Sequence, residues 1–268
     1  MDKKIAIIGG SGVRKIFEKE ISITNVSTPF GISQPIAIFR ENEKEILFTN
    51  RHSLPGSKSF EHVIPPHKIN SRTLIFALAK MGARRIIAIN SVGALKKDLK
   101  LGSFAVLEQF IDMTKTRHYT FYDGTFLGHD EILGDTSIVK HIDMTEPFCA
   151  EMNELILETA KELKYDIVSK ACYICTEGPR LETPAEINFY RMIGADVVGM
   201  TLIPEVILAR ELGLCYSSIS IITNYAAGMQ ERVSFEEVKE VYSRNEEKLK
   251  RLLTLLIPKI SEDKKCRC

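Results

Sequence analysis

Two polar segments contain side chains that can bind a nitrogen-containing ring. Residues 176–183 read Thr-Glu-Gly-Pro-Arg-Leu-Glu-Thr and place a carboxylate, Glu182, shortly after a Gly-Pro corner. Residues 223–228 read Thr-Asn-Tyr-Ala-Ala-Gly and place an amide at Asn224. A carboxylate accepts N–H groups, whereas an amide both donates and accepts hydrogen bonds. Together these two side chains can recognise the edge of a purine that carries a 6-oxo group.

A second set of polar residues follows strand-like segments and favours the binding of an oxyanion. Ser11 lies in a Gly-Gly-Ser-Gly loop, where backbone amides and a hydroxyl can approach an anion. Arg51 and His52 follow another apolar run, where the planar Arg fork matches phosphate oxygens and His52 is expected to add a second donor. Ser91 and Thr201 stand near the ends of two further strand-like runs. We interpret the set as a phosphate site. Taken singly, the loop is also consistent with a tight turn, and the Arg-His pair with an ordinary surface.

The loop at residues 9–12 is a poor match to a dinucleotide-binding fingerprint. That fingerprint requires a small residue at position 15, which is Lys15 here. No acidic residue follows at the distance at which the fingerprint places its ribose ligand. The sequence therefore disfavours a dehydrogenase.

Length and composition are those of an ordinary globular protein. The chain has 268 residues, of which 44% are hydrophobic and 26% charged, and its net charge is +1. Mixed Lys, Arg, Asp and Glu residues predict neither a nucleic-acid partner nor an acidic membrane partner. No run approaches the roughly 18–20 apolar residues of a membrane span. The first apolar run is too short for a signal peptide. We expect a cytoplasmic enzyme.

Hydrophobic periodicity predicts alternating strands and helices. Strands are predicted at residues 5–8, 36–39, 46–49, 86–90, 104–110, 169–176, 196–200 and 215–223. Helices are predicted at residues 67–81, 151–163, 186–193, 204–212 and 234–256. Ser234 is the expected N-cap of the last helix, with Glu237 at the capping-box position. The alternation predicts one α/β domain over residues 1–268, with a central, mostly parallel (mixed) sheet flanked by helices. Residues from about 259 to 268 are expected to form a flexible tail.

The chain has 6 cysteines. Cys149 and Cys215 lie in apolar surroundings and are interpreted as inert core thiols. Cys172 and Cys175 have metal-knuckle spacing, but the alternating pattern around them indicates a strand, and no second Cys/His pair follows nearby. We therefore predict no metal. For Cys266 and Cys268, a solvated tail and a disulfide both stay open, although disulfides are rare in the cytosol except in hyperthermophiles.

Eight motifs in order along the chain resemble those of the purine nucleoside phosphorylase and methylthioadenosine phosphorylase family. They stand at residues 9–12 (Gly-Gly-Ser-Gly), 51–52 (Arg-His), 66–70 (Pro-His-Lys-Ile-Asn), 90–93 (Asn-Ser-Val-Gly), 177–180 (Glu-Gly-Pro-Arg), 194–196 (Gly-Ala-Asp), 199–201 (Gly-Met-Thr) and 204–205 (Pro-Glu). The resemblance covers nearly the full length. It implies a single α/β domain that assembles as a homotrimer, sometimes doubled to a homohexamer.

The resemblance also implies a role for each matching residue. The phosphate-binding positions are Ser11, Arg51, His52, the Ser91 amide and Thr201. The ribose-side positions are Met200 and His67, and the base-side positions are Glu182, Asn224 and Leu181. Asn224 and His52 would act in catalysis. His141 would reach the 5′ end of a nucleoside bound to a neighbouring subunit. For Met200 a plain core residue is the alternative, and for His141 a plain surface histidine.

Family members that prefer 6-aminopurines have Asp at the position of Asn224, a second Asp two residues later, and a small hydroxyl residue at the position of Glu182. This chain has Asn224, Ala226 and Glu182. A 6-oxopurine carries a proton on N1 that a carboxylate can accept, whereas adenine presents a lone pair there. An unpaired buried polar group costs about 1–3 kcal/mol. We therefore predict hypoxanthine or guanine as the leaving base, with methylthioadenosine phosphorylase activity as the alternative.

The sugar end departs from the inosine and guanosine phosphorylases that the chain resembles. Those enzymes have His at the position of Phe235, where it binds the 5′-hydroxyl. Phe235 and Val238, one helical turn apart, form an apolar wall suited to a methylthio group. The predicted substrates are 5′-methylthioinosine, inosine and guanosine. The alternative is that Phe235 only packs the helix.

The expected reaction is phosphorolysis. Phosphate attacks C1′ while the bond to N9 breaks, and Asn224 stabilises the charge that develops on the base. Positioning and electrostatics suffice, so we expect no cofactor and inorganic phosphate as the co-substrate. A nucleosidase, a dehydrogenase and a non-catalytic purine-binding module are the other classes considered.

Overall fold

The computed structural model describes residues 4–10, 13, 20–41, 44–261 and 266–268. Within these ranges, apolar runs form buried strands because each is covered on both faces. The strands are β1 Lys4–Gly9, β2 Glu20–Thr24, β3 Ser27–Thr28, β4 Gly31–Ile32, β5 Ile36–Glu41, β6 Lys44–Asn50, β7 Ala83–Ala94, β8 Phe104–Asp112, β9 His129–Asp130, β10 Gly134–Asp135, β11 Ile167–Cys175, β12 Val197–Gly199 and β13 Cys215–Tyr225. The helices are α1 Ser71–Lys80, α2 Ala150–Glu162, α3 Pro184–Met192, α4 Leu202–Glu211 and α5 Phe235–Leu256, with 3-10 turns at Pro66–Lys68 and Ile257–Lys259.

The described strands include a mixed sheet of nine in the order β12-β11-β8-β13-β7-β1-β6-β5-β2. β1 pairs in parallel with β6 and β7, and β7 pairs in parallel with β13. β12 pairs in parallel with β11 and antiparallel with β7, so five strands close into a ring. The predicted α/β class with a central mixed sheet and flanking helices is confirmed. The ring closure has no counterpart in the prediction, because pairing between distant strands leaves no local pattern.

Apolar side chains fill the two faces of the sheet. α1 and α4 cover one face, with Leu74 and Val206 among their buried residues. α2 and α5 cover the other face, with Ile156 and Leu252 among theirs. In such sheets, ligands bind at the carboxyl ends of the parallel strands.

The observed helices differ from the predicted ones mainly at their first residues. The segment predicted as one helix over residues 67–81 is a 3-10 turn followed by α1. The Asn70 side chain accepts a hydrogen bond from Thr73 N at 3.2 Å and so starts α1 at Ser71. At α5 the predicted cap is confirmed, since Ser234 Oγ accepts from Glu237 N at 3.1 Å. The Glu237 carboxylate accepts instead from Gln230 Nε2.

The segment after α5 is held against the sheet. Lys44 Nζ donates to the carbonyl oxygens of Ile257, Pro258 and Ile260 at 3.2, 3.1 and 2.6 Å. Cys266 and Cys268 are half-buried and pack against the core, whereas a solvated tail is one of the two alternatives that the sequence leaves open for them. Within the described part of the chain, none of the helices combines the length and apolarity needed to cross a bilayer.

Candidate active site

The motif residues gather where the parallel strands end. In the strand register, Gly9 at the end of β1 lies beside Asn50 at the end of β6. Gly93 of β7 pairs with Asn224 on one side and with Val198 of β12 on the other. The residues that follow these positions therefore share one edge of the sheet.

Arg51 is almost fully buried, with 2% of its surface exposed. Its Nε and Nη2 donate to the Glu205 carboxylate at 2.6 and 3.2 Å, and its Nη1 donates to Ile89 O at 2.9 Å. Burial by itself lowers the pKa of Arg51. The charge and hydrogen bonds of Glu205 raise this pKa by a larger amount, so that it lies above its ordinary value. Arg51 is thus a fixed cation. An Arg side chain has five N–H donors, so Nη1 and Nη2 each retain one for a ligand.

Glu205 is the functional residue that the sequence interpretation missed. Its carboxylate is fully buried and also accepts from Tyr216 Oη at 2.7 Å. The Pro-Glu motif at residues 204–205 is part of the family resemblance, but the sequence gives Glu205 no role. Its one local signal is an acidic residue within the otherwise apolar residues 202–209 of α4. Such a residue needs a buried cationic or hydrogen-bonding partner.

His52 is buried and uncharged. Its Nδ1 lies 2.7 Å from Ile64 O, and because a carbonyl only accepts, Nδ1 carries the proton. Burial, and then the positive charges of His62 and Arg51, lower the pKa of His52 to about 3. Nε2 therefore presents a lone pair at neutral pH. This differs from the donor role that the sequence predicts, and it suits an anion that still carries a proton.

His62 packs on His52, with ring centroids 3.8 Å apart and planes 10° from parallel. The stack orients the His52 imidazole. Nothing in the local sequence around His62 indicates this contact, since residues 53–61 form a loop whose path only the fold defines.

The other predicted phosphate-binding residues are less enclosed. Ser91 and Thr201 are half-buried, and Thr201 stands at the N-terminus of α4, where its N–H donates to Tyr173 Oη at 3.1 Å. Ser11 lies outside the described residues. Ile203, with φ −105° and ψ 128°, interrupts the helical geometry of α4 shortly after Thr201.

Glu182 and Asn224 both belong to this edge. Glu182 is half-buried, and its Oε1 accepts from Thr176 Oγ1 at 2.6 Å. Thr176 N in turn donates to Gly199 O at 2.9 Å, which ties Glu182 to the end of β12. Burial raises the pKa of Glu182. Leu181 is 47% exposed.

Asn224 is 7% exposed. Its Oδ1 accepts from Thr223 Oγ1 at 2.9 Å, and its Nδ2 donates to Tyr225 O at 3.0 Å. The pairing of β13 with β7 shifts between Ile222 and Asn224, and such an irregularity re-aims a side chain. A Cβ at Gly93 would lie only 3.2 Å from Asn224 Nδ2, so a glycine there leaves room for the amide.

Gly178 lies against Met200 and against Pro66, the residue before His67. A Cβ at Gly178 would lie 2.6 Å from Met200 Sδ and 3.6 Å from a ring carbon of Pro66, next to His67. The φ of Gly178 is +67°, a second reason for glycine. His67 Nδ1 is buried and has no hydrogen-bond partner among the residues that the structure describes.

The residues predicted for the 5′ group lie at the surface. Phe235 begins α5 with 70% of its surface exposed, Val238 is half-buried and His141 is exposed. The Phe235 ring is thus not part of the core. His141 is followed along the chain by the half-buried Ile142, and is preceded by the exposed Ile138 and Val139.

Comparison with known proteins agrees with the motifs and the fold. Residues 4–258 match the family model described as Phosphorylase superfamily. The chain is 45% identical to an S-methyl-5′-thioadenosine phosphorylase of Pyrococcus furiosus, over 99% of this chain and 96% of the relative. It is 41% identical, over the same shares, to a 6-oxopurine nucleoside phosphorylase of Pyrococcus furiosus. A methylthioadenosine phosphorylase from Schistosoma mansoni in complex with adenine superposes with a TM-score of 0.85 at 30% identity, covering 98% of this chain and 93% of that one.

The chain therefore belongs to the phosphorylase superfamily, as the motifs predicted. It is an enzyme of the nucleoside phosphorylase class, a pentosyltransferase that takes a nucleoside and phosphate.

The state of His52 generates a prediction about stability. The pKa of His52 is about 3 in the folded protein, whereas its ordinary value is 6.5. Between pH 3 and pH 6.5, His52 therefore binds a proton only in the unfolded chain. Its contribution to stability is complete above pH 6.5 and declines as pH falls toward 3, by about 1.4 kcal/mol per pH unit. In denaturant unfolding, the free energy of unfolding should fall less steeply below pH 6.5 for His52→Gln than for the wild type. A His52 ring resonance that titrates near its ordinary pKa would contradict this.

Proposed function

We propose that the enzyme phosphorolyses 6-oxopurine nucleosides to a free purine and a pentose 1-phosphate, with 5′-methylthioinosine, inosine and guanosine as substrates. The pairing of Glu182 with Asn224 at one edge of the sheet carries this proposal. An ionised Glu182 accepts the N1 proton of hypoxanthine or guanine, and Asn224 bonds N7 and O6. Thr176 already donates to Glu182 Oε1, which leaves Oε2 for the base.

Methylthioadenosine is the second candidate substrate, and one observation favours it. Burial raises the pKa of Glu182, and a protonated carboxyl could donate to the bare N1 of adenine. The relatives include enzymes named for each substrate class, at 45% and 41% identity. The two candidate substrates thus require different states of Glu182. A 6-oxopurine requires an ionised carboxylate, and methylthioadenosine requires a carboxyl that is protonated on one oxygen.

The anion site is assigned to Arg51 and His52, with Ser91 and Thr201, and Ser11 beside them. Arg51 supplies the fixed positive charge. At neutral pH inorganic phosphate retains a proton in both of its main forms, and His52 Nε2 can accept that proton in a hydrogen bond. This arrangement positions one unprotonated oxygen for attack.

In the proposed reaction, a phosphate oxygen forms a bond to C1′ while the bond from C1′ to N9 breaks. The electron pair of the broken bond goes to the base, where Asn224 hydrogen-bonds the charge that develops at N7 and O6. The proton that the attacking phosphate carried ends on the base, so that a neutral purine and a pentose 1-phosphate dianion leave. The sugar passes through an oxocarbenium-like state that the bound dianion favours. Met200 and His67 flank the ribose, and His67 Nδ1 is a buried polar atom that can bind a hydroxyl. Inorganic phosphate is the co-substrate, and no cofactor takes part.

We further propose a homotrimer or homohexamer in which His141 approaches the 5′ group bound to a neighbouring subunit. Leu127, Ile138 and Val139, near His141 in sequence, are 68%, 59% and 67% exposed. An apolar surface of this kind favours association between copies of the chain.

The deciding experiment compares kcat/KM for phosphorolysis of methylthioinosine, inosine, guanosine and methylthioadenosine. We expect the 6-oxopurine substrates to exceed methylthioadenosine by about ten- to a hundred-fold, the ratio that one unpaired buried polar group supports. Omitting phosphate should abolish base release, because a nucleosidase would use water instead. A higher kcat/KM for methylthioadenosine would contradict the assignment of Glu182 and Asn224.

Asn224→Asp should shift the substrate preference toward 6-aminopurines. A carboxylate repels the O6 of an oxopurine but accepts from the 6-amino group of adenine. We expect the ratio of kcat/KM for methylthioadenosine to that for methylthioinosine to rise about ten-fold, the effect of about 1.4 kcal/mol. Asn188→Asp, the same change on an exposed part of α3, is the matched control. An unchanged ratio in Asn224→Asp removes Asn224 from base recognition.

Phe235→His should improve the use of inosine relative to methylthioinosine, because an imidazole can bond a 5′-hydroxyl that a phenyl ring cannot. The measurement is the ratio of the two kcat/KM values. Phe189→His replaces another exposed phenylalanine, on α3, and serves as the control. If both variants behave alike, Phe235 does not line the sugar site.

A further inference from the structure

Four cysteines from three separate segments meet at one place, away from the strand ends that form the candidate active site. Cys149 immediately precedes α2, Cys215 begins β13, and Cys266 and Cys268 are at the end of the described chain. Their four sulfur atoms all lie within 4.8 Å of one another. The sequence interpretation treated Cys149 and Cys215 as inert and left the state of the other two open, because only the fold brings the segments together.

The spacing suits four ligands around one ion. In a tetrahedral zinc–thiolate site, each Zn–S distance is about 2.3 Å, which puts the sulfurs about 3.8 Å apart. Cys215 Sγ and Cys266 Sγ are 3.3 Å apart. A disulfide bond is about 2.05 Å long, shorter than the distance between these two sulfurs. Two neighbouring disulfides are the competing use of four cysteines at one place, and the thiol count below tests it.

Backbone contacts hold the ligands in place. Cys149 N donates to Tyr216 O at 2.8 Å, which fixes Cys149 beside Cys215. Arg85 Nε donates to Ser261 O at 2.8 Å and so anchors the chain that leads to Cys266. Cys149 and Cys215 are buried, and Cys266 and Cys268 are half-buried.

Two cations lie beside the cluster. Arg85 Nη1 is 3.6 Å from Cys215 Sγ, and Arg210 lines the same groove as Cys266 and Cys268. Four thiolates around one divalent ion carry a net charge of −2. Positive side chains offset that charge, as the surroundings of a buried anionic centre must.

We propose that the reduced protein binds one divalent cation of the zinc class through the thiolates of Cys149, Cys215, Cys266 and Cys268. Each thiol loses its proton when the sulfur–metal bond forms, so binding releases up to four protons and changes no oxidation state. All four positions are protein ligands, which is the arrangement of a structural site. The ion would join the C-terminal segment to β13 and to the start of α2, and this inference is independent of the proposed substrate.

The test uses the full-length protein purified in a reductant, with its zinc content measured by mass spectrometry. We expect about one zinc per chain. Replacement by Co²⁺ should produce sulfur-to-metal charge-transfer bands and the strong visible bands of a tetrahedral site. Zinc-loaded protein should also melt at a higher temperature than chelator-treated protein, since an ion that binds only the folded state stabilises it.

Variants separate this site from non-specific binding. Cys266→Ser combined with Cys268→Ser should abolish stoichiometric zinc and the Co²⁺ bands, while phosphorolysis shows that the chain still folds. Cys172→Ser removes a half-buried cysteine that lies outside the cluster and should retain one zinc per chain. If the double variant retains zinc as well as the wild type does, the proposal fails.

A count of reactive thiols tests the competing possibility that the four cysteines form disulfides. Chelator-treated, denatured protein should present all 6 cysteines as thiols. A reduced protein with all its thiols reactive and no affinity for zinc or cobalt would overturn the proposal. So would protein isolated without an oxidant in which the four sulfurs are joined as disulfides and no metal is bound.

Discussion

The buried ion pair between Arg51 and Glu205 is the interaction on which the rest of the site depends. A charge of either sign that is buried without a partner destabilises the fold by several kcal/mol, so neither residue can occupy its position alone. The pair joins the end of β6 to α4, while Tyr216 Oη and Ile89 O attach it to β13 and β7. Four elements thus converge, because α4 and β7 provide the acceptors for the guanidinium and β13 provides the hydroxyl that donates to Glu205.

The electrostatics of the proposed anion pocket follow from this arrangement. Glu205 cancels much of the Arg51 charge, so the pocket is not strongly positive before a ligand enters. The stacked and buried His52 adds no charge, because burial lowers its pKa far below neutrality. A polar pocket of this kind can bind a phosphate dianion and still release the product, since the N–H groups and the imidazole lone pair are oriented in advance.

The proposed base site differs from the anion pocket because short contacts along one edge of the sheet hold it together. Thr176 links Glu182 to β12, and β12 pairs with β7 beside Asn224. The antiparallel pairing of β12 with β7 therefore sets the distance between the two side chains that we propose to bind the base. A Cβ at Gly178 would collide with Met200, and a Cβ at Gly93 in β7 would crowd the Asn224 amide, so glycine at both positions leaves room for these side chains.

The sequence by itself determined eight of the nine strands of the main sheet, all but β2, together with the order of the motifs and the cap at Ser234. These features rest on local periodicity and on side chains that bond their own backbone, which neighbouring residues encode. Only the tertiary structure decided that Arg51 pairs with Glu205, that His62 stacks on His52 and that four cysteines meet. The partners in these contacts are distant in sequence or separated by a loop without a regular pattern. Which side chains meet across such a gap depends on strand pairing and loop path, and no spacing along the chain records either.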